Sequence, residues 1–240
     1  MNEVLKNKIK RFFRFFGIRI TRSKYYKFPY DQHNFQDIRT NENIIIFDVG
    51  ANIGQSALWF KNSFPHATIH AFEPFQAIFE LLSANTRHVS EIFCHKVALG
   101  ETEKLLDLPK INDAYCQTSQ VVEKQSNNNI DKNTLETIEV KIIDNFCEEN
   151  SIDKIDILKT DTEGFDLSVL RGAEKLLKNR KINYIISEVS IISNDKQHTD
   201  LFELQRYLAE YGFILYSLYD IAHNPSNGRL EYFNALFKKS

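Results

Sequence analysis

Residues 44–54, which read IIIFDVGANIG, constrain the fold of this chain more than any other segment. The apolar run 44–47 is typical of a strand that is buried on both faces of a parallel sheet. Asp48 follows this run, and Gly50 and Gly54 come next. Glycine allows a tight turn and a close approach to a ligand, and the helix that follows presents free N–H groups to it. The segment therefore predicts a site for a nucleotide-like cofactor.

Strand and helix patterns alternate through most of the remaining chain. Apolar residues at helical spacing separate the first five predicted strands, which is typical of βαβ units and a parallel sheet. Two further β-rich runs predict a C-terminal antiparallel hairpin. We therefore expect an α/β, Rossmann-like sheet of seven strands, mostly parallel, with helices on both faces. The predicted strands are 44–47, 68–72, one within 92–99, 155–158, 182–186, 213–218 and 230–237. Asp166 is a candidate N-cap for the predicted helix over 167–177.

The composition is that of an ordinary globular protein. Of the 240 residues, 42% are apolar and 26% are charged, so one domain over residues 29–240 with an N-terminal appendage accounts for the chain. The three cysteines are widely spaced and odd in number, which favours reduced thiols in a cytoplasmic protein. No apolar run approaches the length of a membrane span, and charges interrupt the N-terminal apolar residues. We therefore expect neither a transmembrane helix nor a cleavable signal.

Residues 1–28 carry nine Lys or Arg and one acidic residue, although the net charge of the whole chain is −2. Basic charge is thus confined to one end, which argues against a nucleic acid as partner of the body. An apolar stripe predicts a basic amphipathic helix here. Such a helix lies on an anionic membrane surface, peripheral to the inner membrane, or packs against the body or a partner subunit. The stripe consists of Leu5, Ile9, Phe12, Phe13 and Phe16.

Residues 107–133 interrupt the alternation with a cluster of Asn, Gln and Ser. The segment has no clear period, which predicts a mobile loop. A long irregular segment in an α/β domain is often a lid over a site, and a loosely ordered insertion is the alternative interpretation.

Acidic residues follow four of the predicted strands, namely Asp48, Glu73, Asp161 and Glu188. The ligands of open α/β sheets bind outside the carboxyl ends of the strands, near the point where the strand order reverses. We therefore expect these acids to mark the ligand-binding edge of the sheet.

Asn52 separates two classes of cofactor that use this geometry. A dinucleotide fold expects G-x-G-x-x-G, whose second glycine makes room for a pyrophosphate, and Asn52 occupies that position. Glu73 suits the two hydroxyls of a ribose, but its spacing from the glycines fits both classes. The glycine pattern therefore favours S-adenosylmethionine, whose only anionic group is a carboxylate. A nicotinamide-dependent oxidoreductase is the poorer alternative.

Five motifs occur in order between residues 44 and 219, and in these the chain resembles the FkbM family of S-adenosylmethionine-dependent methyltransferases. The resemblance implies a class I methyltransferase fold and a hydroxyl acceptor, because such enzymes mostly methylate hydroxyls on sugars or polyketide-type products. Thr162 replaces the small aliphatic residue that is usual at its position, and we expect little consequence. The motifs are FDVGANIG (47–54), FEP (72–74), VALG (97–100), LKTDTEG (158–164) with VLRGA (169–173), and ISEV (186–189).

The resemblance also implies roles for single residues. Glu73 would hold the ribose, Val97 and Ala98 would border the adenine, and Asp161 would face the methyl-transfer centre. The alternative for Glu73 is a solvated acid at a strand end, and for Asp161 a capping or turn residue. The residues implied to line the methionine end of the cofactor are Asp48, Gly50, Asn52 and Gly54, and the predicted cofactor-binding residues also include Ala51 and Pro74.

A sugar hydroxyl is a poor nucleophile until its proton is taken, so a general base is expected. Asp161, Glu163 and Glu188 are the candidate catalytic residues, because they follow strands that are predicted to be neighbours. Such an oxygen-rich cluster is compatible with Mg²⁺, but the residues do not imply a metal. His198 is a fourth candidate base, although we favour an exposed residue at a helix start.

The first hypothesis is an O-methyltransferase of polysaccharide biosynthesis that acts on a sugar in a glycan, a glycolipid or a nucleotide sugar. The alternative is a non-catalytic cofactor-fold module that recruits glycan-biosynthesis partners to the membrane through residues 1–28. The Asp161→Ala variant separates the two, because a scaffold would keep its cellular function and an enzyme would lose it.

Overall fold

A computed structural model describes residues 32–39, 41–111, 134–193 and 195–240 of the chain. The predicted amphipathic helix lies outside these residues, and so does the larger part of the predicted mobile loop, 112–133. Within the described ranges, no helix is long and apolar enough to cross a membrane. Cys94 and Cys147 are free thiols.

The predicted seven-stranded sheet is present and gains a short eighth strand. Its order is β10-β11-β8-β7-β1-β2-β3, with β9 paired to β8. All pairs are parallel except those of β11, which is antiparallel to both β8 and β10. The C-terminal hairpin prediction is therefore confirmed. The strands of the described residues are β1 (Ile45–Val49), β2 (Thr68–Phe72), β3 (Ile92–His95), β4 (Ala98–Leu99), β5 (Lys104–Pro109), β6 (Leu135–Lys141), β7 (Ile155–Thr160), β8 (Ile182–Ser190), β9 (Thr199–Asp200), β10 (Phe213–Tyr219) and β11 (Tyr232–Lys239).

The strand order reverses at β1, which has β2 on one side and β7 on the other. Val49 pairs with Phe72 of β2 and with Thr160 of β7, and Thr160 pairs with Ser187 of β8. The residues that follow these positions therefore emerge at one edge of the sheet, where ligands of such sheets bind.

A second sheet, β4-β6-β5, was absent from the sequence prediction. The strand expected within 92–99 is split between the two sheets, and residues 107–109 belong to β5 rather than to a loop. Leu108 and Ile138 of this sheet pack with Phe75 and Ile78 in a small apolar cluster. The sheet therefore depends on contacts with a distant helix that no local pattern reveals.

The described helices are α1 (Gln36–Arg39), which follows a 3-10 turn at Gln32–Phe35, α2 (Gln55–Ser63), α3 (Gln76–Thr86), α4 (Ile143–Glu149), α5 (Asp166–Arg171), α6 (Glu174–Lys178) and α7 (Leu201–Ala209).

The single helix predicted over 167–177 is broken at Gly172, between α5 and α6. A Cβ atom on Gly172 would lie 2.2 Å from the carbonyl oxygen of Gly100, so this close approach requires glycine. The carboxylate of Asp144 then accepts hydrogen bonds from the N–H groups of Lys175 and Leu176, which satisfies the free N-terminus of α6.

The prediction that Asp166 is an N-cap is wrong. The N-cap position of α5 is Phe165, and no side chain caps that helix. The carboxylate of Asp166 instead accepts hydrogen bonds from the N–H of Thr162 and the hydroxyl of Thr199. Asp166 therefore joins the loop after β7 to β9 and does not cap its own helix.

Apolar side chains cover both faces of the large sheet, as predicted. On one face Phe146 of α4, Val169 of α5 and Leu204 of α7 belong to the main core cluster. On the other face the ring of Phe35 packs edge-on against Phe64 and Tyr184. The sheet is thus a buried middle layer, and its carboxyl edge carries the polar residues.

Candidate active site

The turn after β1 is held by the neighbouring strand β2. The N–H groups of Gly50 and Ala51 both donate to the carbonyl oxygen of Phe72, at 3.1 and 2.9 Å. Gly50, Asn52 and Gly54 have positive φ angles of 74°, 49° and 95°, a region that glycine and asparagine tolerate best. The turn places the predicted residues Gly50, Ala51, Asn52 and Gly54 at the carboxyl edge of the sheet.

The close approach of the end of β7 leaves no room for a side chain at Gly50. A Cβ atom on Gly50 would lie 2.0 Å from the backbone carbonyl oxygen of Asp161. The N–H of Asp161 in turn donates to the carbonyl of Val49 at 3.0 Å. The two predicted site segments are therefore in backbone contact, which the sequence alone did not predict.

Lys159 connects these segments and was missed by the sequence analysis. Its Nζ lies 3.1 Å from Oδ1 of Asp48 and 3.2 Å from Oδ2 of Asp161, and it donates to the carbonyl of Gly50 at 3.4 Å. The side chains of Lys159 and Asp48 are 3% and 0% exposed, whereas that of Asp161 is 37% exposed. The available signal was a lysine directly after the predicted strand 155–158, because a lysine that is buried there needs an anionic partner.

Glu73 lies at the end of β2 and is 7% exposed. Its carboxylate accepts hydrogen bonds from the backbone N–H groups of Phe75, at 3.0 Å, and of Asn52. Burial raises the pKa of Glu73 to about 7, against the opposing effect of these hydrogen bonds. The alternative interpretation of Glu73 as a solvated acid at a strand end is therefore wrong.

The residues that the resemblance placed around the adenine lie at the start of the second sheet. Val97 is buried, and Ala98 is half-buried and pairs with Val140 of β6. Pro74, which follows Glu73 in the chain, is half-buried as well. A cavity of about 350 Å³ opens between α3 and the second sheet. It is lined by Gln76, Ala77, Glu80, Lys96, Lys110, Ile111 and Glu136. None of the predicted cofactor residues lines this cavity, although Lys96 directly precedes Val97 in the chain.

Four carboxyl groups lie together near the carboxyl ends of β7 and β8, and Glu188 lies within β8 rather than after the strand as predicted. They are the three predicted catalytic residues Asp161, Glu163 and Glu188, and Asp166, which was not predicted to belong to the site. Burial and the nearby charges of Asp161 and Asp166 raise the pKa of Glu163 to about 7. Burial and the charges of Asp161, Glu163 and Asp166 raise the pKa of Glu188 to about 9. The cluster therefore retains protons at neutral pH.

Glu163 is held in an unusual conformation within this cluster. Its φ angle is 54°, and its buried Oε2 atom has no hydrogen-bond partner among the described residues. A strained backbone and an unsatisfied buried oxygen are features that cluster at functional sites.

The interpretation of His198 as an exposed residue is wrong. Its side chain is 8% exposed, and its Nδ1 lies 2.9 Å from Oδ2 of Asp195. The imidazole ring stacks on Tyr232 with a centroid distance of 4.5 Å and an interplanar angle of 13°. Its Nε2 lies 3.6 Å from Oε2 of Glu188, so His198 borders the carboxyl cluster.

The carboxyl cluster has no arrangement suited to a metal ion. Across the part of the chain that the structure describes, no group of three or more His, Cys, Asp or Glu residues is placed to hold one. The mutual repulsion of the carboxyl groups is instead reduced because Glu163 and Glu188 retain protons and because Lys159 pairs with Asp161.

Comparison with known proteins adds a family relationship to this geometry. Residues 48–215 match the model of a family described as "Methyltransferase FkbM domain". The chain is 32% identical over 148 residues to "Methyltransferase 1" of Beauveria bassiana, a match that covers 55% of this chain and 59% of that protein. It is 26% identical over 176 residues to "Hexuronic acid methyltransferase AglP" of Haloferax volcanii, covering 69% of this chain and 68% of that protein. Among solved structures, precorrin-6y C5,15-methyltransferase from Geobacter metallireducens aligns with a TM-score of 0.49 and 10% identity, covering 87% of this chain and 86% of that one.

Proposed function

Because this chain belongs to the FkbM family of S-adenosylmethionine-dependent methyltransferases, we propose that it methylates a hydroxyl group of a sugar in a glycan, a glycolipid or a nucleotide sugar. The observation that carries the proposal is the buried contact of Lys159 with both Asp48 and Asp161. This contact joins the cofactor turn to a cluster of carboxyl groups that can take a proton. The similarity to a protein named a hexuronic acid methyltransferase supports a sugar acceptor.

The residues at the carboxyl edge fit S-adenosylmethionine by the chemistry of their donors and acceptors. The carboxylate of Glu73 receives only backbone donors in the described structure, so it retains acceptor sites for the two hydroxyls of a ribose. The carboxyl cluster beyond β7 suits a cationic sulfonium better than a pyrophosphate, because opposite charges attract strongly at a partly buried site. When bound, the cofactor supplies an activated methyl group.

Glu163 and Glu188 are the proposed proton acceptors for the sugar hydroxyl. A general base works best when its pKa lies near the operating pH, and the pKa of Glu163 is raised to about 7. Oε2 of Glu163 is buried and lacks a hydrogen-bond partner in the described part of the chain, so its capacity to accept a hydrogen bond is unused. Lys159 fixes Asp161 beside this base, which orients the acceptor relative to the turn after β1.

Methyl transfer to a panel of sugars tests this proposal. Full-length protein is incubated with methyl-labelled S-adenosylmethionine and with glucose, glucuronic acid or galacturonic acid, and labelled sugar is quantified. We expect transfer to at least one sugar, and a loss of about a hundredfold in Glu163→Gln. The matched control is Glu210→Gln, which changes an exposed residue at the end of α7.

Calorimetry separates a failure of the substrate proposal from a failure of the cofactor site. Binding of S-adenosylhomocysteine without transfer to any sugar refutes the sugar acceptor and leaves the cofactor site intact. Absence of binding refutes both. The non-catalytic alternative predicts binding together with full cellular function of the Asp161→Ala variant.

A peripheral position on the inner membrane surface is a separate proposal that rests on the charge of residues 1–28. Basic amphipathic helices bind anionic lipid surfaces. Deletion of residues 1–24 should abolish co-sedimentation with anionic liposomes. An unchanged pelleted fraction would favour packing of this segment on protein instead.

A further inference from the structure

The loop between β8 and β9 holds His198 in a defined orientation. Oδ1 of Asp195 accepts hydrogen bonds from the backbone N–H groups of Gln197 and His198, at 2.9 and 3.3 Å. Oδ2 of the same carboxylate lies 2.9 Å from Nδ1 of the imidazole. Its hydrogen bonds lower the pKa of Asp195 despite partial burial, so this group is a carboxylate and only accepts. Nδ1 of His198 must therefore carry the proton of this hydrogen bond.

The other ring nitrogen then faces Glu188 as a lone pair. Nε2 lies 3.6 Å from Oε2 of Glu188, and the side chain of Glu188 is 16% exposed. Stacking on Tyr232 fixes the plane of the ring. A neutral imidazole with a proton on one nitrogen accepts a proton at the other.

The loop that carries His198 also contacts the motif that carries Glu163. A Cβ atom on Gly164 would lie 3.0 Å from the carbonyl oxygen of Lys196, and the hydroxyl of Thr199 donates to Asp166 at 3.1 Å. The titratable groups that face His198 are Asp195, Glu188 and Tyr232. Those that face Glu188 from the loop and strand end beyond β7 are Asp161, Glu163, Asp166 and Lys159.

We propose that His198 is a positioning residue whose imidazole accepts the proton of Glu188 at the moment when Glu188 takes the proton of the sugar hydroxyl. The inference rests on the proposed methylation of a hydroxyl. As the hydroxyl oxygen bonds to the methyl carbon, its proton moves to Glu188, and the sulfur of the methyl donor keeps the electron pair of the broken S–C bond. The proton on His198 is released to solvent after each turnover, which restores the starting state.

The first test reads the tautomer of His198 without any substrate. Long-range ¹H–¹⁵N spectra of the full-length labelled protein should report a proton on Nδ1 at neutral pH. His198→Asn identifies the signal. In Asp195→Asn the amide should donate to Nδ1 and move the proton to Nε2. A proton on Nε2 of the wild-type imidazole would overturn the inference.

The second test compares pH profiles of methyl transfer to the best sugar of the panel. His198→Asn can still donate to Asp195 but lacks the nitrogen that faces Glu188. We expect its kcat at pH 7 to fall by about tenfold or more and the rising limb of kcat/KM to move up by about one pH unit. Affinity for S-adenosylhomocysteine should stay within about twofold of wild type.

His88→Gln is the matched control, because His88 is an exposed histidine in the segment that follows α3, and it should leave the profile unchanged. An active His198→Asn variant with the wild-type pH midpoint overturns this inference alone. If the wild-type protein transfers no methyl group to any sugar, both the proposed function and the inference about His198 are overturned.

Discussion

The Nζ atom of Lys159 lies 3.1 Å from Oδ1 of Asp48, and both side chains are almost completely buried. The pair bridges two neighbouring strands, β1 and β7, at the point where the strand order reverses. Two desolvated charges at this distance depend on each other, because removal of either leaves the other without compensation. The stability of the candidate site therefore depends on this ion pair, and substitution of either residue tests the dependence.

Replacement of Lys159 by Met should destabilise the protein by about 3–5 kcal/mol, because Asp48 would remain buried without its cation. Urea denaturation monitored by circular dichroism measures the change. Lys178→Met removes an exposed ion pair with Glu174 and should have no measurable effect. The double variant Lys159→Met/Asp48→Asn should recover part of the loss. A single variant as stable as wild type would contradict the proposed role of the pair.

Replacement of Gly50 by Ala should cost more than about 3 kcal/mol, because the new Cβ would collide with the backbone of Asp161 in addition to the strain of a positive φ. Gly228 is the matched control, since its φ angle of 71° is similar and no atom lies within 4 Å of its ideal Cβ position. Gly228→Ala should cost only about 1 kcal/mol. Equal losses in thermal denaturation would mean that the contact with β7 is unimportant.

Affinity for S-adenosylhomocysteine should increase with pH between about 6 and 8. The pKa of Glu73 is about 7, and only the ionised carboxylate can accept from both ribose hydroxyls. Below this pKa, binding must remove a proton, which weakens affinity by up to about tenfold per pH unit. Calorimetry at several pH values measures the effect. Glu73→Gln should bind about tenfold more weakly at pH 8 and show little pH dependence, whereas a parallel pH response in both proteins would refute the role of Glu73.

Replacement of Glu188 by Gln should stabilise the folded protein at pH 8 while impairing methyl transfer. The pKa of Glu188 is raised to about 9, so the folded state holds a proton that the unfolded chain releases above its ordinary pKa of about 4.5. The stability contributed by this group is therefore lost as the pH rises toward 9. Gln removes this cost, with an expected gain of about 1 kcal/mol or more at pH 8 and little gain at pH 5. Denaturation at the two pH values checks the sign.

The half-buried histidine pair of β2 and β3 should make the protein sensitive to acid. Nδ1 of His70 lies 3.0 Å from Nε2 of His95, and burial lowers the pKa of each to about 4. Since the unfolded histidines bind protons more tightly, the free energy of unfolding contributed by the pair falls as the pH drops from about 6.5 to 4. His95→Gln should reduce this slope. His88→Gln, at an exposed site, should not.

The sequence predicted the large sheet because its strands have local signatures. The apolar run 44–47 needs burial on both faces whatever its neighbours are, and acids placed at the carboxyl ends of strands emerge at one edge of a parallel sheet. Asp161, Glu163 and Glu188 could therefore be grouped before any coordinates existed. The second sheet escaped prediction, because β4 has two residues and β5 and β6 are joined across the long polar segment.

The sequence by itself determined the succession of strands along the chain, the acids near their carboxyl ends and the family. Only the tertiary structure decided which groups pair: Lys159 with Asp48, Asp166 with Thr199, and Asp195 with His198. The physical reason is that periodicity reports the local requirement to bury apolar surface, whereas the partner of a buried charge or imidazole is fixed by contacts between segments far apart in the chain. His198 illustrates the difference, since its neighbours in sequence are polar and its burial depends on Tyr232 of the distant strand β11.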